Sequence, residues 1–82
     1  MLARIKELVA KGHVRYTFHA RMRMDERNAS ESDVCSALLS ASAADYNAAK
    51  DNYRVSGGAD QDGDPMTVVV SVEADVVVIT IF

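Results

Sequence analysis

Residues 66–82 read MTVVVSVEADVVVITIF. Two β-branched runs, MTVVVSV and VVVITIF, flank the triplet Glu73-Ala74-Asp75. Branching at Cβ favours extended backbone, and a short polar connection suits a tight antiparallel turn. Val68, Val69, Val70 and the run from Val76 to Ile79 are apolar on both strand faces. That predicts central strands, with helices over one face and a second cover over the other.

Reading back toward the N-terminus, Pro65 stands where a strand can begin, and Asp62-Gly63 within ADQDGDP is a hairpin signal. A further strand is expected from Tyr53 to Ser56 and a weaker one around Tyr46. The first half of the chain has a different rhythm. MLARIKELVAKG places Leu2, Ile5, Leu8 and Val9 on one helical face, and Gly12 can end that helix in the left-handed conformation. HVRYTF alternates as a short strand does, and His13 after the glycine suits a capping role. HARMRMDERN is helical in composition, with Asn28 as its terminator. Ser30 followed by Asp33 predicts a capping box for a third helix, whose buried stripe is Val34, Ala37 and Leu38, with Cys35 as a buried thiol. The expected fold class is therefore α+β: N-terminal helices packed on a twisted antiparallel sheet of three to four strands, in one domain spanning residues 1–82.

Composition narrows the function classes. Hydrophobic residues make up 49% of the chain, enough for a packed interior, and the net charge is −3. No apolar run is long enough to span a bilayer, and the charged N-terminus does not read as a secretory signal, so a cytoplasmic location is expected. A single cysteine forms no internal disulfide. His13, His19 and Cys35 lack metal-ligand spacing, and DQDGD is too short for a calcium loop, so no metal or other cofactor is expected.

The charge is segregated. Residues 1–30 carry seven Lys and Arg against three acids, a balance of +4, while residues 31–82 carry two against nine, a balance of −7. The positive centre is the nine-residue segment from His19 to Arg27, HARMRMDER. On a helix turning about 100° per residue, His19, Arg23 and Arg27 fall within roughly 80° of one another. Ala20 and Met24 lie beside them and can enter the core, while Arg21 and Asp25 fall on the far side. Three such donors on a rigid scaffold can grip a phosphate or a carboxylate. The bland alternative is a solvated face with surface pairs such as Arg23–Glu26 or Arg27–Glu31.

The order Tyr16-Thr17, His19-Ala20, Arg23-Met24, Arg27, Ser30 and Asp33-Val34, followed by YRVSG, QDGDPMTVVVSV and VVVITIF, resembles a family of small bacterial proteins catalogued as a domain of unknown function. The resemblance covers about residues 3–82. Members are similar to the MqsR-like and RelE-like toxins of bacterial toxin–antitoxin pairs, which share a fold related to barnase-like ribonucleases. The resemblance implies a RelE-like fold and a metal-free endoribonuclease that cleaves mRNA and is restrained by a cognate antitoxin. In that scheme His19 is the general acid or base, and Arg23 and Arg27 hold the scissile phosphate. Tyr16 would stack on a base. Tyr53 and Arg54 lie on a strand that can face the cleft, but only one of the two can point into it. Internal aromatics are the structural alternative for both tyrosines. RNA is the expected ligand and the ribosome a further candidate partner. Two other readings stand beside this one: a non-catalytic protein- or nucleic-acid-binding module of the same fold, and an assembly protein that dimerises through an exposed edge strand near Tyr53.

Overall fold

A computed structural model describes residues 1–82. Three helices come early in the chain, α1 (Leu2–Ala10), α2 (Phe18–Arg27) and α3 (Glu31–Ser40). Strand β1 (Val14–Tyr16) falls between the first two, and β2 (Ala43–Asn47), β3 (Asn52–Ala59), β4 (Pro65–Val72) and β5 (Val76–Ile81) follow. The strands form one five-stranded sheet in the order β1-β5-β4-β3-β2.

This α+β layout matches the expected class, but the sheet is larger and is mixed. Strands β2 to β5 form an antiparallel meander, whereas β1 runs parallel to β5, with Val14 opposite Val76 and Tyr16 opposite Val78. The crossover between β1 and the meander carries α2 and α3. The strand holding Tyr53 is β3, which is flanked by β2 and β4. It is therefore not the exposed edge that the assembly reading assumed; the edge strands are β1 and β2.

Local chemistry accounts for the helix limits. Gly12 turns the chain after α1 at φ +78°. Thr17 caps α2 by accepting from the Ala20 N–H at 3.0 Å, and Asn28 closes that helix in the left-handed conformation at φ 57°. Ser30 and Asp33 form the expected capping box on α3. The Asp33 carboxylate accepts from Ser30 N and Ser30 Oγ at 3.0 Å and from Gln61 N at 3.1 Å, which ties the helix start to the loop before β4.

Those donors hold the Asp33 carboxyl below its ordinary value, with the backbone N–H of Ser30 the largest cause and that of Gln61 the next. A carboxyl with a depressed folded-state pKa stabilises the fold above its unfolded value, near 3.9, and loses that contribution as pH falls toward the folded value. The midpoint of urea unfolding is thus expected to drop as pH falls below about 5, and to drop less steeply in Asp33→Asn. Equal acid slopes in the two proteins would remove Asp33 from the account.

All three helices pack on one face of the sheet. α3 lies over β3 and β4, α2 runs beside β5, and α1 rests against α3 and β5. Ile5, Leu8, Ala20, Met24, Val34 and Leu38 meet Val55, Met66, Val68, Val70, Val78 and Ile81 in one continuous buried cluster. Cys35 is only half-buried, not fully enclosed as expected, because its thiol lies at the outer margin of α3. The opposite face has no second cover, contrary to the expectation from the valine runs. Val69 and Ile79 there are partly exposed, whereas Val77 is buried.

Candidate functional site

Pleating decides which face each sequence-predicted residue occupies. Tyr53 pairs with Val70, and Arg54 with Val69. Val70 is buried beneath the helices, so Tyr53 belongs to the core face and Arg54 to the open face. Tyr53 packs against Tyr46 with ring centroids 5.1 Å apart. Tyr16 is also on the helix side: its hydroxyl lies 3.6 Å from Cys35 Sγ, and the Arg21 guanidinium covers its ring at 4.7 Å. Burial, and then the Cys35 contact, push the Tyr16 phenol upward. Of the strand pair, Arg54 is therefore the residue on the open face, and both tyrosines take the structural alternative on the helix side.

Helix α2 has two flanks. On one, Arg21 reaches Glu31 at 2.6 Å. This is the surface pair that forms, in place of the expected Arg27–Glu31 or Arg23–Glu26 pairs. On the other flank, Arg23 donates from Nε and Nη2 to the Ile81 carbonyl at 3.4 and 3.3 Å. Arg27 donates to the Pro65 carbonyl at 2.6 Å. Strand β1 pairs only with residues 76–78 of β5, so the rest of that β5 edge lacks a strand partner. Thr17 Oγ1, at 3.1 Å from the Ile79 carbonyl, and Arg23 supply the missing donors. Arg23 and Arg27 thus strap α2 to the sheet, a positioning role that their spacing alone does not reveal. His19, one turn before Arg23 on the same flank, is exposed and makes no side-chain hydrogen bond.

On the open face the Arg54 guanidinium stacks on the Phe82 ring at 5.1 Å. Phe82 follows Ile81, whose carbonyl receives Arg23, and exchanges backbone hydrogen bonds with Thr67 at 2.8 and 3.2 Å. Beside this stack is a cavity of about 270 Å³. Val69 and Ile79 give it an apolar lining, and Asn47, Lys50, Asn52 and Thr80 add polar groups. A bulge in β5 helps to form it. Val69 pairs with Thr80 while Val70 pairs with Val78, so Ile79 is the extra residue and both Ile79 and Thr80 reach the cavity.

The ion pairs show which cations are neutralised. Arg4 and Lys11 pair with Glu7, Arg15 with Glu73 and Asp75, and Arg21 with Glu31. Lys6, Arg23, Arg27, Lys50 and Arg54 have no carboxylate partner, although the chain has twelve acids to nine Lys and Arg. Even Asp45, opposite Arg54 on β2, does not engage it. Arg54 and Lys50 lie on the cavity, and Arg23 reaches the residue next to Phe82. Positive charge left unpaired in an acidic protein, around an exposed aromatic ring, is suited to a phosphate-bearing ligand.

A larger open groove of about 530 Å³ runs along α3, lined by Ser32, Cys35, Ser36, Leu39, Ser40 and Gln61. It has hydroxyls and a thiol but no cation, so it offers nothing to balance a phosphate. Lys50, Asn52, Thr80 and Phe82 were not among the sequence-level candidates. Each looks ordinary in its own segment, and only strand register brings them to one place.

The model of a domain of unknown function, DUF4258, matches residues 16–82. The chain belongs to that family. No curated protein and no solved structure matches it. The match begins at Tyr16 and includes α2, α3 and the whole β2–β5 meander, hence every residue of the open-face site.

Proposed function

We propose that this DUF4258 protein binds RNA on the open face of its sheet and cleaves it as the toxin of a bacterial toxin–antitoxin pair. The observation that carries the reading is the set of unneutralised cations, Lys50, Arg54 and Arg23, around Phe82. The resemblance of the family's members to RelE-like and MqsR-like toxins supports it, as does an α+β fold with one sheet face left open. A cognate antitoxin covering that face would neutralise it.

The chemistry follows from the available groups. His19 takes the proton of a ribose 2′-hydroxyl, whose oxygen attacks the adjacent phosphorus. The bond from phosphorus to the 5′-oxygen breaks, and water protonates the departing oxygen. The products are a 2′,3′-cyclic phosphate and a 5′-hydroxyl. Arg54 and Lys50, on the open face of the sheet, hold neighbouring phosphates of the same strand and so keep it at the site. Arg23 fixes the helix that carries His19, so its effect on the reaction is indirect.

A second reading is a non-catalytic RNA-binding module of the same fold. It rests on the engagement of Arg23 and Arg27 with main-chain carbonyls, which leaves His19 as the single acid–base group on that flank.

The test is incubation of the purified protein with a long end-labelled mRNA in EDTA, with and without ribosomes, beside a Lys50→Ala/Arg54→Ala variant. Discrete cuts by the wild type that the variant loses are the expected result. RNA retention without cuts in either condition would favour the binding module, and neither retention nor cutting would overturn both readings.

A further inference from the structure

The cavity beside Phe82 has more structure than phosphate binding requires. At about 270 Å³ it falls below the roughly 300–1,000 Å³ of drug-sized ligand sites, so it suits one planar group rather than a stacked pair. Its lining is apolar at Val69 and Ile79, and the Phe82 ring, 49% exposed, stands beside it. The ring is held from two sides: the two main-chain bonds to Thr67 fix its backbone, and the Arg54 guanidinium stacks on it.

The rim is equally well held. Asn47 Oδ1 accepts from Ala49 N at 3.1 Å, and Tyr46 Oη donates to Asp51 at 2.7 Å, which braces the turn between β2 and β3. Asn52 follows directly. Its side-chain amide and the Thr80 hydroxyl make no hydrogen bond within the protein. An amide offers a donor and an acceptor side by side, the arrangement that matches the edge of an unpaired base.

We infer that this cavity seats a single unpaired nucleobase, with Phe82 as its stacking wall and the Asn52 amide as the reader of its edge. Lys50 and Arg54 then receive the flanking phosphates. A paired base has its hydrogen-bonding edge occupied and its faces covered, so duplex RNA is excluded. The inference rests on the RNA reading above and adds the strandedness and the origin of base preference.

Fluorescence anisotropy with labelled single-stranded oligo-A, oligo-C, oligo-U and a mixed-sequence strand, and with the last as a perfect duplex, tests this. Wild type should bind single strands at least about ten-fold tighter than duplex and prefer one base. Phe82→Leu should lose roughly ten- to a hundred-fold in affinity, the range seen on removing one base–aromatic stack, while Phe82→Tyr retains binding. Asn52→Ala should flatten the preference among homopolymers, with the largest loss of affinity on the preferred one. Circular dichroism on each variant checks folding, and Phe82→Tyr keeps the test decisive should Phe82→Leu unfold. Equal binding of duplex and single strand, or a base preference unchanged in Asn52→Ala, would overturn the inference. If these occur while Lys50→Ala/Arg54→Ala still abolishes binding, the RNA reading survives without the base seat. If wild type binds no RNA, both fall.

Discussion

Gly58→Val is expected to unfold the protein or leave it barely stable. Helix α3 crosses β3 so closely at this glycine that an added Cβ would overlap the Ala37 carbonyl oxygen and come within 2.8 Å of its carbon. The obstacle is backbone in the last turn of α3, which cannot swing aside as a flexible side chain does. The same contact is reinforced from both elements. Ser36 Oγ donates to the Ala59 carbonyl at 3.0 Å, and Ala59 N donates to Ser40 Oγ at 3.0 Å. Lifting α3 to admit a side chain breaks these bonds and opens the core around Leu38 and Val55. Overpacking costs about 1–3 kcal/mol where side chains can adjust. Against backbone we expect at least about 4 kcal/mol, a large share of the 5–15 kcal/mol typical of a folded domain. Gly63→Ala is the control: that glycine has φ +87° and nothing within 4 Å, so only conformational strain of about 1–2 kcal/mol is expected. Urea denaturation of the two variants measures both effects. Similar losses in both would show that α3 does not approach β3 as described.

His19→Ala is expected to lower the RNA cleavage rate by about 10²–10⁴-fold, the usual contribution of a positioned acid or base, with RNA affinity changed by less than about three-fold. The separation follows from geometry. His19 is exposed, engages no other side chain and lies outside the cavity lining, whereas Lys50 and Arg54 are part of it. Loss of the imidazole therefore removes a proton acceptor without disturbing the fold or the cation cluster. Arg23→Ala should behave differently, weakening stability as well as activity, because its guanidinium satisfies the Ile81 carbonyl. Single-turnover cleavage and anisotropy on the same RNA separate the two effects. Unchanged cleavage in His19→Ala would assign the proton transfer to another group.

Much of the fold was legible because its signals are local. The caps at Asn28 and at Ser30 with Asp33, the i, i+3, i+4 stripe of α1, and the two valine runs each depend on neighbours a few residues apart. What escaped depends on distant partners. Three residues of β1 contain nothing that selects the β5 edge or a parallel direction. The Gly57-Gly58 pair reads as a turn. In the fold both glycines lie within β3, at an irregularity between Val55 and Gly58 that brings the strand against α3.

The site divides in the same way. The spacing of His19, Arg23 and Arg27 correctly grouped them on one helix flank. The targets of the two arginines, Ile81 and Pro65, lie 58 and 38 residues away, so their strapping role was hidden. Strand alternation correctly required Tyr53 and Arg54 to diverge, but only the position of the helices determines which of them faces the open side. Lys50 and Phe82 meet at the cavity through the β3–β4–β5 register, to which no sequence motif corresponds.

The central claim is that RNA meets the open face of the sheet. Amide chemical-shift mapping by ¹H–¹⁵N NMR, during titration with a short single-stranded RNA, tests it most directly. The account predicts shifts concentrated at Asn47 to Arg54 and at Ile79 to Phe82, with smaller changes at His19 and Arg23. The groove along α3, from Ser32 to Ser40, should stay unperturbed. Shifts confined to that α3 groove, or none at saturating RNA, would contradict it.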